Sequence, residues 1–132
     1  MDQGALVTEQ IDAGARFLSE FQKHFPVQSA FWLKESDEGE RNLYVASDQI
    51  NDDNFDVAYG EVMRIAGQLQ DPWFDPFQVK VIGQDDPLAK AALDIQQRYP
   101  GRNPIRLNGK SFGGASVDDV YLYTSPAPAQ VQ

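Results

Sequence analysis

The chain has 132 residues, a hydrophobic fraction of 42% and a formal net charge of −9, which fits one globular domain with a core of its own. With no cysteine and a single histidine, His24, the sequence offers no disulfide framework or thiolate site, and neither a histidine-based zinc centre nor a Ser-His-Asp triad is expected. No apolar run approaches the roughly 18 residues needed to span a membrane, Met1 to Gly14 is interrupted by Asp2, Glu9 and Asp12, and the negative charge opposes general affinity for nucleic acid, so a soluble cytoplasmic protein is expected.

A first helix is expected from about Ala5 or Thr8 to His24, because Ile11, Ala15, Leu18, Phe21 and Phe25 recur at helical spacing with Phe17 beside them. Thr8 is a candidate cap with Glu9 in the first turn. Lys23 and His24 suit the carbonyl end of that helix before Pro26. His24 is therefore read as a helix-end residue and not as a catalytic one.

Val27 to Glu35 reads as a strand, and Ser36 to Glu40 as an exposed connection to a second strand that begins near Arg41 or Asn42 and runs to about Ile50. The short connection implies an antiparallel hairpin. Centred near Glu38, it sets Trp32 opposite Tyr44 and Phe31 opposite Val45. Asn51-Asp52-Asp53-Asn54 stops the strand. A helix follows with the stripe Phe55, Ala58, Tyr59, Val62, Ile65, Ala66 and Leu69, which Val57 and Met63 widen. Asp71-Pro72 ends it.

The loop Asp71 to Phe77 carries Trp73, Phe74 and Phe77 between two prolines, so it either folds back over the core or lines a pocket. A short strand from Gln78 to Ile82 comes next. Asp86-Pro87 opens a third helix whose stripe is Leu88, Ala91, Ala92, Ile95 and Tyr99, ended by Pro100-Gly101. Pro104 to Leu107 and Val117 to Thr124 are the last two strands, with a connection that starts at Asn108-Gly109 and stays flexible at Gly113-Gly114.

The order helix, strand, strand, helix, strand, helix, strand, strand implies an α+β domain: a mixed or antiparallel-rich sheet of about five strands, with three helices packed mainly on one face. Residues 1–124 are expected to form this single domain and residues 125–132 a disordered tail.

No strong catalytic or ligand-binding signature stands out. Asp48, Asp52 and Asp53 could hold a divalent metal for an enzyme, although acids before a helix ordinarily serve as caps and dipole partners. Gly109-Lys110-Ser111 lacks the earlier glycine of a phosphate-binding loop, since Pro104 stands there. A weaker anion site from Arg102, Lys110, Ser111 and free glycine amides stays open, beside the plainer reading of a flexible hairpin loop.

Charge is uneven. Acids crowd the stretch from Glu35 to Glu61, while Ile95 to Val117 has none and carries Arg98, Arg102, Arg106 and Lys110. An acidic protein surface, such as the Glu35 to Glu40 loop of a second copy, is the partner that this basic stretch would suit.

If Leu33, Val45, Val81, Ile105, Val120 and Leu122 face the helices, then Trp32, Tyr44, Lys80, Arg106, Tyr121 and Tyr123 face away. Such a face would serve protein contact through Trp32, Tyr44, Arg106, Tyr121 and Tyr123, or be covered by the first helix, the aromatic loop or the tail. The function expected is a non-enzymatic binding or accessory module acting as a homodimer, without a cofactor. The alternatives are a metal-dependent enzyme at the acidic turn and a site for a small-molecule ligand.

Overall fold

The computed structural model describes residues 7–35, 41–98 and 104–123. Its elements are α1 (Thr8–Phe21), β1 (Ser29–Glu35), β2 (Arg41–Ser47), α2 (Phe55–Leu69), a 3-10 turn (Pro76–Gln78), β3 (Val79–Gly83), α3 (Pro87–Arg98), β4 (Ile105–Phe112) and β5 (Ala115–Leu122). The fold is a single small α+β domain around a mixed five-stranded sheet of order β3-β2-β1-β5-β4. β2 and β3 run parallel, and the other neighbours are antiparallel.

β1 lies in the middle of the sheet and is buried on both sides, which is why Ser29-Ala30-Phe31-Trp32-Leu33 reads as a nearly continuous apolar run. Ala30 and Trp32 pack with Leu43, Val45, Val79 and Val81 beneath α1 and α2. Phe31 and Leu33 pack with Val120, Leu122 and Phe112 against α3. Two helices thus cover one face and the third covers the other.

The hairpin register differs from the sequence expectation by one residue. Trp32 pairs with Leu43 and Phe31 with Tyr44, so the ladder is centred between residues 37 and 38. A slip of one residue exchanges the two faces of a strand. Val45 and Val81 therefore face α1 and α2, and Tyr44 shares the α3 side with Phe31. The outward face expected from Trp32, Tyr44, Arg106, Tyr121 and Tyr123 does not exist as one surface.

The last hairpin is longer than expected. β4 continues through Asn108, Gly109, Lys110 and Ser111, and the turn falls at Gly113-Gly114. Both glycines have positive φ, 59 and 87 degrees, as a two-residue hairpin turn of matching twist requires. Leu107 and Phe112 pack on the same side although five positions apart, and so do Val117 and Val120. The alternation of both strands therefore shifts once, where the β1–β5 ladder also carries an irregularity at Lys34/Glu35.

Helix ends follow local chemistry, with some departures. Asp86 accepts from Leu88 N–H at 2.9 Å, and Pro87 opens α3 as expected. α1 is capped at Val7, whose N–H donates to the Gln10 side chain. It ends at Phe21, so Lys23 and His24 lie in the turn beyond it. Before α2, Asn51 and Asn54 organise the turn. Asn51 Oδ1 accepts from Asp53 N–H, Asn54 Oδ1 accepts from Asn51 N–H, and Asn54 Nδ2 donates to the Gln49 carbonyl. The aspartates expected to cap α2 take no such part, and only Asp56 in the first turn complements the dipole. Residues 36–40, 99–103 and 124–132, with the connection, the helix stop and the tail expected there, lie outside the described residues.

Candidate functional site

Trp32 is 1% exposed. Its Nε1 donates to the Tyr123 hydroxyl at 3.0 Å, and that hydroxyl donates to the Ile11 carbonyl of α1 at 2.8 Å. Gly14 leaves the room, since a Cβ there would overlap the Tyr123 hydroxyl and press on Trp32 Nε1. Burial pushes the Tyr123 phenol far above the ordinary tyrosine range against the opposing donor from Trp32. These two aromatics are structural members that join β1 and β5 to α1.

Tyr121 stands edge-on to Tyr123, with centroids 5.3 Å apart. The guanidinium of Arg106 lies over the Tyr121 ring at 5.1 Å. Burial raises the Tyr121 pKa, with Arg106 opposing and Asp12 adding to the rise. Arg106 is exposed and Tyr121 half-buried. The structure thus brings four of the five expected contact residues together, but covers Trp32 with α1. Tyr44 lies on the other face, stacked on Phe31.

The anion reading stood on a loop of free amides, and positions 108–111 are strand instead. Lys110 pairs with Val117, and Ser111, exposed, pairs with Ser116. Arg102 lies outside the described residues. Asp48, Asp52 and Asp53 are exposed. Among the described residues no group of three or more His, Cys, Asp or Glu is placed to hold a metal ion. His24 reaches across to α2, with Nε2 at 2.9 Å from Arg64 and 3.5 Å from Glu61. Arg64 also donates to Glu61 and holds its carboxyl below the usual range. Arg41, buried, forks onto Asp119 at 2.9 and 3.0 Å and ties β2 to β5 across β1.

Most of the exposed large apolar side chains belong to α2 and to the loop that follows it. Phe77 is 78% exposed, and Val57, Tyr59 and Met63 of α2 and Trp73 of the loop are exposed as well. Their display is built into the loop. Asp71 Oδ1 accepts from Trp73 N–H and Asp75 Oδ1 from Phe77 N–H, both at 2.9 Å, so each aspartate fixes a turn through its side chain. Phe74 points inward and stacks on Phe17 at 4.8 Å, and Arg16 of α1 pairs with Asp71. One aromatic side chain anchors the loop and two stand out.

On α2 the buried line is Ala58, Val62 and Ile65. Tyr59 and Met63 sit beside it at spacing four. Gly60 and Gly67 leave open space next to them, with no atom within 4 Å of a would-be Cβ. Tyr59 also finishes the sheet, because its hydroxyl accepts from Val81 N–H of β3 at 2.8 Å. Sequence periodicity assigned Val57 and Met63 to the buried stripe, and they are exposed. The two glycines flanking Met63 were the available signal that this side meets no neighbour within the chain.

No protein-family model, curated protein or solved structure matches this chain.

Proposed function

We propose that the protein is a non-enzymatic protein-binding or accessory module of the cytoplasm, and that it docks partners on the outward row of α2 together with Trp73 and Phe77. The observation that carries this reading is Phe77, 78% exposed on a loop pinned by Asp71, Asp75 and Phe74. An aromatic side chain whose backbone is already fixed leaves less freedom to be lost on binding, which suits an interface anchor. Asp56 lies in the first turn of α2, Asp75 precedes the 3-10 turn that carries Phe77, and the whole chain carries −9. A partner with apolar side chains flanked by lysine or arginine therefore fits better than a second copy, although the homodimer expected from the sequence is the alternative outcome.

The test is a photo-crosslinking amino acid placed at Phe77 and, as a control, at exposed Gln84. A discrete adduct from position 77 alone, whose partner then binds purified Phe77→Ser at least about tenfold more weakly than wild type, supports the proposal. Equal adducts from both positions, or unchanged affinity in Phe77→Ser, overturn it. Adducts of twice the chain's mass, with matching light scattering, replace the foreign partner by a homodimer.

A further inference from the structure

The two edges of the sheet are finished differently. On β3, Val79 N–H donates to the Pro76 carbonyl, Val81 N–H to the Tyr59 hydroxyl, and the Gly83 carbonyl accepts from Asp86 N–H. Two outward donors of that edge and the carbonyl at its end are thus taken within the chain. β4 is the opposite edge, eight residues long, with β5 as its one neighbour.

The ladder tells which groups of β4 point outward. Tyr123 N–H donates to the Ala30 carbonyl, so Tyr123 and, two residues back, Tyr121 turn their backbone groups toward β1. Leu122 and Val120 then turn toward Ile105 and Leu107. Arg106, opposite Tyr121, and Asn108, opposite Asp119, are left with N–H and C=O directed away from the sheet. Among the described residues nothing pairs with them. Ile105 and Leu107 are partly buried against the α3 cluster.

We propose that β4 is a strand-addition site for an extended acidic segment of another protein, which pairs with the Arg106–Asn108 edge and sets its carboxylates against Arg106. Charge selects this occupant. β4 contains Arg106 and Lys110 and no acid, and no acid occurs from Ile95 to Val117. Two β4 strands pairing with one another would bring these cations together without a carboxylate between them. Lysine and arginine on an edge strand guard against self-pairing in this way, and the same charges favour a strand that carries glutamate or aspartate. Arg106 is exposed, stacks on Tyr121 and has no carboxylate partner among the described residues. This site is independent of the α2 row.

The test uses three blocked peptides: one alternating valine and glutamate, its valine–lysine counterpart, and the glutamate peptide N-methylated on alternate amides. The expected result is binding of the glutamate peptide at least about tenfold tighter than of the other two, with slowed hydrogen exchange at the Arg106 and Asn108 amides. Arg106→Glu should abolish binding while its near-UV spectrum stays unchanged, and Phe77→Ser should bind as wild type does. Equal affinity for the N-methylated peptide, unprotected Arg106 and Asn108 amides, or binding that survives Arg106→Glu overturns the proposal. Should Arg106→Glu alter the spectrum, Arg106→Gln replaces it, with weakened binding expected and unchanged binding refuting.

Discussion

Gly14→Ala separates two effects that ordinarily run together. In the middle of a helix, alanine in place of glycine contributes about 1 kcal/mol of stability through backbone entropy. Here the added Cβ overlaps the Tyr123 hydroxyl. The ring must swing away, and any swing breaks the bonds from Trp32 Nε1 and to the Ile11 carbonyl, 3.0 and 2.8 Å long. The stranded indole N–H then lies in a site where Trp32 is 1% exposed, at a cost of about 1–3 kcal/mol, and the second bond adds about 1 kcal/mol. Gly14→Ala alone is therefore expected to destabilise by about 1–3 kcal/mol after the helix gain is deducted. Tyr123→Phe alone, which loses both bonds and has no helix gain to offset them, should cost about 2–4 kcal/mol. In the Tyr123→Phe background the overlapping oxygen is gone, so Gly14→Ala should be neutral or stabilise by up to about 1 kcal/mol. Urea unfolding of the four proteins, followed by tryptophan fluorescence, measures the cycle. An alanine effect of equal size in both backgrounds would refute the reasoning, because the clash would then not act through the hydroxyl.

Other outcomes follow from the same contacts. Tyr123 and Tyr121 keep their protons longer in the folded chain than at the ordinary 10.0. The unfolded chain therefore binds fewer protons above that pH, and stability should fall as pH rises past it. Tyr123→Phe should flatten the decline, and an unchanged slope counts against the assignment. Gly113→Ala should destabilise more than Gly114→Ala. Both need positive φ, worth about 1–2 kcal/mol to a side chain, but a Cβ at Gly113 also meets Pro87 and Leu88 of α3, where Gly114 has open space. Equal midpoints in urea would count against the close approach. Tyr59→Phe should cost about 0.5–1.5 kcal/mol and speed exchange of the Val81 amide, since β3 then loses its cover. A Val81 amide as slow as in wild type would show that something else shields it.

Local chemistry made the α3 start legible, because Asp86, Pro87 and the Leu88–Ile95 stripe act within a few residues of one another. The number and type of elements followed from periodicity for the same reason. What remained hidden depended on distant partners. Every residue from Ser29 to Leu33 is buried, so alternation in β1 could not say which face met which helix. That assignment came from a hairpin centre displaced by half a residue. Asn108-Gly109 and Gly113-Gly114 are turn signals of similar strength, and pairing with β5 chose the second. Of the residues expected as an outward platform, Trp32, Arg106, Tyr121 and Tyr123 lie together on β1, β4 and β5, and Tyr44 lies on the other face. Their cover, α1 (Thr8–Phe21), ends a hundred positions before Tyr121 in the chain, beyond any local pattern. The exposed row on α2 was misassigned because a helical stripe widened by Val57 and Met63 looks apolar whether or not a neighbour exists.

The placement of β1 has a consequence for the order in which the chain can complete itself. The strand at the centre of the sheet is the first one made, and its neighbour on one side, β5, is the last. While a ribosome is still producing α2, β3 and α3, β1 can pair with β2 but keeps an open edge, with Phe31, Trp32 and Leu33 waiting for Leu122, Tyr121 and Val120. Contacts this far apart in sequence form slowly, and an unpaired apolar strand is prone to wrong partners during the delay. A chain halted before β5 would therefore be a hazard to its neighbours in the cell and not a smaller version of the same protein.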